Sequence, residues 1–190
     1  VNLTAVAGDR ILVVGGNGSG KSTLLSLLAG LVKPTSGQCL LNGEPVDSQP
    51  DRIGLLIQNT RLQLSRPTVA EELDDMAKDH ATIPRVVQQL QLGPILHRRI
   101  DELSGGQQRR VGLAGAILRD ADLVLLDEPL AGLDRRSALG FVESLEAVGH
   151  DSIIVVVTHD VDATRPILAH GRSGRILRIN RGRVEERERL

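Results

Sequence analysis

A glycine-rich stretch between a short apolar run and a leucine-rich run constrains the fold of this 190-residue chain more than any other feature. Residues 15 to 22 read Gly-Gly-Asn-Gly-Ser-Gly-Lys-Ser, after the strand-like run 11–14 and before leucines at helical spacing in 22–31. Such glycines let backbone N–H groups surround a phosphate, where the start of the next helix adds its positive dipole end. The order of strand, loop and helix predicts a phosphate-binding loop.

The polar residues of this loop have predicted tasks with a bound nucleotide. Lys21 would bridge the β- and γ-phosphates, the Ser22 hydroxyl would bind Mg²⁺, and Thr23 would contact the α-phosphate. The rest of the predicted nucleotide-binding loop consists of Gly15, Asn17, Gly18, Ser19 and Gly20. A loop match of this length in this context is rare by chance, so a nucleotide with Mg²⁺ is the expected ligand. The loop alone would fit many NTPases, and ATP is expected only together with the second phosphate-binding surface described below.

A pair of carboxylates, Asp127-Glu128, follows another apolar run at 123–126. That run shows no alternation, which is typical of a parallel strand covered on both faces, and ligands of doubly wound sheets bind at the carboxyl ends of such strands. Asp127 is predicted to reach the Mg²⁺ shell. Glu128 is predicted to be the general base that orients or accepts a proton from the attacking water. The alternative is an acidic strand end without a catalytic role.

A second Gly-Gly element lies in the string Leu-Ser-Gly-Gly-Gln at 103–107. Ser104 and Gln107 have the spacing of a capping box, and Gly105 and Gly106 allow close approach of a ligand to the backbone. Lys21 already serves the phosphates within one subunit, so we expect this helix start to contact the γ-phosphate held by a second chain. The alternative is a plain helix start.

The order of these motifs, together with three further residues, resembles that of ATP-binding cassette (ABC) ATPases. The resemblance implies that Gln58 senses Mg²⁺ and the catalytic water and connects to a helical insert. It implies that Asp134, which could also cap the next helix, belongs to a loop that crosses the dimer. It implies that His159 hydrogen-bonds the γ-phosphate.

Three segments are similar to the ATPases of energy-coupling factor importers, the cobalt, nickel and vitamin uptake group; they are Ile53-Gly-Leu-Leu-Ile-Gln-Asn59, Pro67-Thr-Val69 with Glu71-Glu72, and the string from Asp127 to Asp134. This similarity implies an ATPase subunit that powers ion or vitamin uptake from the cytoplasmic face of the membrane. Its partners would be a second ABC ATPase subunit and integral membrane subunits. The alternatives are a non-transport ABC ATPase and a truncated nucleotide-binding module with weak hydrolysis.

Four apolar runs, at 11–14, 53–57, 123–126 and 153–157, predict one mostly parallel sheet, so the expected fold is α/β with a P-loop NTPase core. Asn42-Gly43 predicts a tight turn in a small antiparallel flap. Helical patterns predict a helical subdomain at 63–116, inserted between core segments 1–62 and 117–190 of a single ABC ATPase domain.

Composition restricts the partners. The formal net charge is −1, so there is no global positive field and nucleic acid is not expected as a partner. The apolar runs are far shorter than the ~20 residues that cross a bilayer, so a membrane link would go through another subunit. We expect the acidic cluster at 71–79 and the arginine-rich tail after Gly171 to be solvated faces.

Phe141 is the only aromatic residue of the chain. ABC ATPases normally have strands upstream of the position of Val1, with an aromatic residue that stacks on adenine. We therefore expect N-terminal strands to be missing here, nucleotide to be held mainly through its phosphates, and ATP to be poorly distinguished from GTP.

Overall fold

A computed structural model describes residues 2–149, 151–180 and 182–189, without the side chains of 170 and 186–189. Its strands are β1 (Asp9–Val14), β2 (Leu40–Leu41), β3 (Glu44–Pro45), β4 (Ile53–Leu56), β5 (Leu123–Asp127), β6 (Ile153–Thr158), β7 (Ser173–Asn180) and β8 (Arg183–Arg189). Six of them form one sheet in the order β4-β5-β6-β1-β7-β8, in which only β8 is antiparallel to its neighbour. The predicted α/β fold with a mostly parallel sheet is confirmed.

The central strands are apolar because helices cover both faces of the sheet. Ile11, Leu12 and Val13 of β1 are fully buried, and alternate residues contribute to the two hydrophobic clusters on opposite faces. The register pairs Val14 with Thr158, so these neighbouring strands end at the same edge. That edge collects the loops that follow each strand.

The helices are α1 (Lys21–Leu28), α2 (Val69–Met76), α3 (Ile83–Gln89), α4 (Gly105–Leu118), α5 (Arg135–Ser144) and α6 (Val161–Thr164). Helix α2 begins at the capping box of Thr68 and Glu71 that its sequence spacing indicates. Leu73 of α2, Val86 of α3 and Leu126 of β5 belong to one hydrophobic cluster. The helical region therefore shares a core with the sheet, and its extent as a subdomain stays a prediction.

The predicted flap is present as the antiparallel pair of β2 and β3. Asn42 and Gly43 form its turn with φ values of 54° and 84°, the positive angles that a tight primed turn requires. Among the residues that the structure describes, no helix is long and apolar enough to cross a membrane.

The prediction that the acidic cluster at 71–79 is a solvated face is wrong for Glu72. Its side chain is buried, and Oε2 accepts hydrogen bonds from the backbone N–H groups of Ser65 (2.8 Å) and Arg66 (2.7 Å). These two donors give the carboxylate partners that replace water. Glu72 thus attaches the loop before α2 to the helix itself.

The prediction of a solvated tail is wrong for strand β7. This strand lies beside β1, and Arg175 is buried with its guanidinium 2.8 Å from the carboxylate of Asp9. Ile176, Leu177 and Ile179 add to the core. Arg172, Arg178 and Arg183 are exposed as expected, whereas position 181 and the side chains at 186–189 lie outside the described part of the chain.

Candidate functional site

The site residues lie at the carboxyl edge of the parallel sheet. The phosphate loop follows β1, Gln58 follows β4, Asp127 ends β5 and His159 follows β6. Because these strands are parallel neighbours, their loops open on the same side, which is the usual ligand side of doubly wound sheets. The fold brings together loops that are distant in the sequence.

The phosphate loop has the backbone shape that its glycines indicate. Gly18 and Gly20 have φ values of 71° and 108°, and α1 begins directly after Gly20 with neither a side-chain cap nor an acidic residue in its first turn. Its first N–H groups are therefore available to an anionic ligand. Ser22 and Thr23 are exposed in this first turn, within reach of solvent.

Lys21 is held by the loop itself. Its ammonium donates hydrogen bonds to the carbonyl oxygens of Gly15 (2.7 Å) and Gly16 (3.1 Å). These neutral acceptors hold the cation across the loop, where a phosphate would offer it charged oxygens instead. The ammonium is thus placed for phosphate binding but has to exchange partners.

The sequence did not indicate that a distant hairpin supports this loop. The backbone N–H of Gly182, in the turn between β7 and β8, donates to the carbonyl oxygen of Ser19 at 3.0 Å. Ile179 lies against Gly15, where an added Cβ would be 3.0 Å from Ile179 Cγ2 and would clash with the Ile179 carbonyl oxygen. In the sequence, the only indication of this turn is Gly182, which follows the apolar residues of the tail.

Asp127 and Glu128 occupy different environments. Asp127 is half-buried, and burial raises the pKa of its carboxyl, with Glu128 raising it further and Lys21 lowering it. Glu128 has φ = 47° and precedes Pro129, so a non-glycine residue adopts the left-handed conformation at a position that proline restricts further. Strain of this kind is commonly retained at functional sites.

Glu128 and His159 contact each other directly. Glu128 Oε1 lies 2.8 Å from His159 Nδ1, while Oε2 accepts weaker hydrogen bonds from the Thr158 hydroxyl (3.3 Å) and the His159 backbone N–H (3.4 Å). The hydrogen bond and the charge of Glu128 both raise the pKa of the His159 imidazole. The predicted base and the predicted phosphate-sensing histidine therefore form a pair.

Gln58 is exposed two residues after β4, and its predicted role is untested. A different amide, Gln63, anchors this segment: Oε1 accepts from the Ile57 N–H and Nε2 donates to the Leu55 carbonyl, each at 2.8 Å. Because β4 is the edge strand of the sheet, the Gln63 side chain pairs with its free backbone as a neighbouring strand would. The sequence offered no signal for this role.

The Leu-Ser-Gly-Gly-Gln segment forms the predicted capping box at the start of α4. Ser104 Oγ accepts from the Gln107 N–H (3.3 Å), and Gln107 Oε1 accepts from the Ser104 N–H (2.9 Å). Gly105 is exposed and Gly106 is buried. In the described part of the chain, no hydrogen bond joins this helix start to the phosphate loop.

Asp134 caps the neighbouring helix α5, which was the alternative role for this residue. Its carboxylate accepts from the Ser137 N–H (3.0 Å) and the Ser137 hydroxyl (2.6 Å). Arg109, a buried residue of α4 that sequence analysis did not select, donates to the carbonyl oxygen of Ala131 at 2.7 Å. This hydrogen bond connects α4 to the loop that leads into α5.

A sequence profile of the family described as ABC transporter matches residues 1–131, which include the phosphate loop, the capping box of α4 and the carboxylate pair. The chain belongs to the ABC transporter family. The match confirms the resemblance that the motifs indicate, and it ends before Asp134 and His159.

Two curated ABC relatives illustrate the similarity. The chain is 44% identical over 167 residues to an uncharacterised ABC transporter ATP-binding protein of Mycobacterium tuberculosis, covering 84% of this chain and 24% of that protein. It is 34% identical over 177 residues to the energy-coupling factor transporter ATP-binding protein EcfA of Methanoculleus marisnigri, covering 85% of this chain and 64% of that protein. The chain thus spans less than two thirds of each relative.

Solved ABC structures share the fold. The cbiO1 protein of Clostridium perfringens, described as part of the ABC transporter complex cbiONQ, superposes with a TM-score of 0.81 at 25% identity, covering 97% of this chain and 78% of that one. A bacterial ABC transporter cassette solved as a dimer superposes with a TM-score of 0.77 at 25% identity, covering 98% and 88%. These similarities support the kinship with energy-coupling factor and cobalt-type ATPases.

The donor set of this ABC cassette fits Mg²⁺ bound jointly with a nucleotide. The described residues contain no cluster of three histidine, cysteine or acidic side chains that would form a metal cage. Instead, the three predicted ligands of Mg²⁺ lie at one edge of the sheet, where Asp127 would offer one carboxylate and Ser22 and Gln58 would offer neutral oxygens. Mg²⁺ typically takes one or two protein carboxylates together with phosphate oxygens and water.

Proposed function

We propose that this chain is an ATP-hydrolysing, nucleotide-binding subunit that powers a membrane importer through ATP-dependent, head-to-tail dimerisation. The proposal is supported mainly by one observation: the residues expected to contact nucleotide lie on two separate surfaces of the chain. The phosphate loop and the Glu128–His159 pair lie at the sheet edge, whereas the helix start at Ser104 is separate and exposed. A nucleotide bound at the first surface of one chain can then be covered by the second surface of another.

Binding of ATP changes the partners of Lys21. The β- and γ-phosphates occupy the N–H-lined loop, and the ammonium moves from the carbonyl oxygens of Gly15 and Gly16 to charged phosphate oxygens, which are stronger acceptors. Ser22, Asp127 and Gln58 would hold Mg²⁺, which when bound would neutralise the negative charge that develops on the phosphates. Asn17, Gly18, Ser19 and Thr23 complete the proposed phosphate contacts.

Hydrolysis requires Glu128 to be released from His159. Once free, the carboxylate orients a water molecule in line with the γ-phosphate and accepts its proton. The released imidazole of His159 then donates a hydrogen bond to the γ-phosphate. The hydrogen bond of 2.8 Å between the two side chains holds both at the edge where they act.

The second surface comes from the partner subunit. Ser104 and Gln107 satisfy their own cap, so the exposed N–H groups of the helix start, including that of Gly105, can approach a γ-phosphate across the dimer. Asp134 holds the start of α5 beside it, and we propose that the loop of Asp134 crosses between the subunits. The bacterial ABC transporter cassette solved as a dimer supports the pairing of two such chains.

Import as the driven process is supported by the relatives. EcfA is named as an energy-coupling factor transporter ATP-binding protein, and cbiO1 is described as part of a transporter complex. We infer integral membrane subunits as partners and the cytoplasmic face of the membrane as the location. An ion or a vitamin is the proposed class of solute. Co-purification from native membranes with a small hydrophobic subunit would distinguish an importer from a non-transport ATPase.

The decisive test mixes two inactive chains, Lys21→Ala and Ser104→Arg. In their heterodimer one composite site carries both defects, while the other combines an intact phosphate loop with an intact capping box. We expect each variant alone to be inactive and the mixture to regain ATPase activity. A Ser104→Arg protein with full activity would contradict a contact between this helix start and nucleotide.

A further inference from the structure

We propose that the β7–β8 turn is a positioning element for the phosphate loop, acting through the backbone N–H of Gly182. The inference rests on the proposed nucleotide binding and adds a region outside the motifs that suggest it. Three contacts carry it: the hydrogen bond from Gly182 to Ser19, and the packing of Ile179 against Gly15 and Gly20.

The hydrogen bond fixes the direction of one peptide unit. The carbonyl oxygen of Ser19 points outwards to the Gly182 N–H at 3.0 Å. In a planar trans peptide the C=O and the following N–H point in opposite directions, so the Gly20 N–H points away from the β7–β8 turn. Among the described residues, this N–H donates no hydrogen bond within the chain. It is therefore oriented in advance for a phosphate oxygen.

The Ile179 side chain restricts lateral movement of the phosphate loop. An added Cβ at Gly15 would be 3.0 Å from Ile179 Cγ2, and one at Gly20 would be 3.4 Å from Ile179 Cδ1. The isoleucine thus touches both ends of the glycine-rich stretch. Because Ile179 is itself buried in the cluster that contains Leu177 and Val13, the core of the sheet supports the loop through it.

The turn depends on glycine at position 182. Gly182 has φ = 76°, in the left-handed region where alanine is strained, whereas asparagine is tolerated there much better. A Cβ at this glycine would meet no atom within 4 Å, so the cost of a substitution is conformational and not steric. Strain at this residue should tilt the N–H away from Ser19 and free the Ser19–Gly20 peptide to rotate.

The chain contains a matched control for this strain. Gly43, in the turn between β2 and β3, has φ = 84° and also has open space around its Cβ position. Its turn belongs to the separate two-stranded sheet. Gly43→Ala should therefore impose a similar conformational cost without touching the phosphate loop.

The test measures ATP and ADP affinity by titration calorimetry, with KM and kcat for ATP, in the full chain. We expect Gly182→Ala to weaken both nucleotides about tenfold, since a hydrogen bond to a charged phosphate is misdirected, with kcat at saturating ATP nearly unchanged. Gly43→Ala and Gly182→Asn should retain wild-type affinity. Equal affinities for Gly182→Ala and Gly43→Ala, whether normal or reduced, would overturn the inference.

A second pair of variants covers the case in which Gly182→Ala does not fold. Ile179→Ala and Leu177→Ala both remove buried atoms from the same face of β7, but only Ile179 touches the phosphate loop. We expect a raised KM for Ile179→Ala alone, and equal KM values would overturn the inference. If the wild-type chain itself failed to bind ATP, the proposed function would fail first.

Discussion

The two halves of the proposed nucleotide site differ in how their polar groups are used before any ligand binds. At the sheet edge, Lys21 is bonded to loop carbonyls and Glu128 to His159, so these side chains must exchange partners to act. At the start of α4, Ser104 and Gln107 cap their own helix, and the backbone N–H groups remain in place for an anion. The side chains of the first half are held by hydrogen bonds that a nucleotide must replace, whereas the donors of the second half are already in place. Most of the reorganisation during a catalytic cycle should therefore occur at the sheet edge.

Among the variants proposed here, Lys21→Ala at the sheet edge should have the largest effect on ATP turnover. Turnover of ATP should fall by a factor on the order of 10³, because the variant removes the cation proposed to stabilise the developing phosphate charge. ATP affinity should also weaken strongly. Lys33→Ala is the matched control, since that lysine pairs with Asp47 on the surface at 3.4 Å. Steady-state ATPase assays showing equal rates for the two variants would remove Lys21 from the site.

Glu128→Gln separates binding from chemistry within the same half. Hydrolysis should fall by about 10²-fold or more, because the amide cannot accept a proton from water. ATP binding should persist, and the ATP-bound dimer should accumulate in size-exclusion light scattering. If the variant hydrolyses ATP at the normal rate, Glu128 is not the base.

Two capping boxes in one chain allow the second half to be tested against a purely structural equivalent. Ser104→Ala and Thr68→Ala each remove the side-chain acceptor of a capping box, at a cost of about 1 kcal/mol in unfolding free energy. Denaturant titration should show similar losses. ATPase activity should fall several-fold more for Ser104→Ala, because only that helix start is proposed to contact the nucleotide of a partner subunit. Equal activity losses would indicate a structural role alone.

The smallest expected effect concerns the pKa of His159. Its contact with Glu128 raises this pKa, so an NMR titration should give a lower value in Glu128→Gln than in the wild-type chain. A raised folded-state pKa stabilises the protein fully below the ordinary histidine pKa, and this contribution is lost as the pH rises through the folded-state value. Identical pKa values in both proteins would mean that the pair does not persist in solution.

Local patterns were sufficient to predict the central strands and the flap. Unbroken apolar runs mark strands buried on both faces, and Asn42-Gly43 specifies its turn by its positive φ angles. Strand β7 was missed because its arginines look solvated. Burial of Arg175 is compensated by Asp9, which lies on another strand and far away in the sequence. A pattern confined to one segment does not contain such a partner.

The candidate site shows the same limit. Residue types and spacing were sufficient to predict the position of the phosphate loop, the carboxylate pair at the end of a strand and the capping box of α4. The sequence did not predict the roles of Gln63, Arg109 and Gly182, because each of them acts through a hydrogen bond to the backbone of another segment. The mutual contact of Glu128 and His159 also required the register that aligns β5 with β6.

Glu128 has a left-handed backbone, so the residue that is best for folding at this position differs from the residue that is best for activity. Glycine, and to a lesser degree asparagine, adopts φ = 47° more easily than glutamate does, and the following proline narrows the choice further. In a saturation library screened only for expression or heat resistance, these residues should therefore displace the native carboxylate. In a library screened for turnover, glutamate should remain despite its conformational cost. The ratio of glutamate enrichment in the two screens would measure how much folding stability is lost at this position in favour of catalysis.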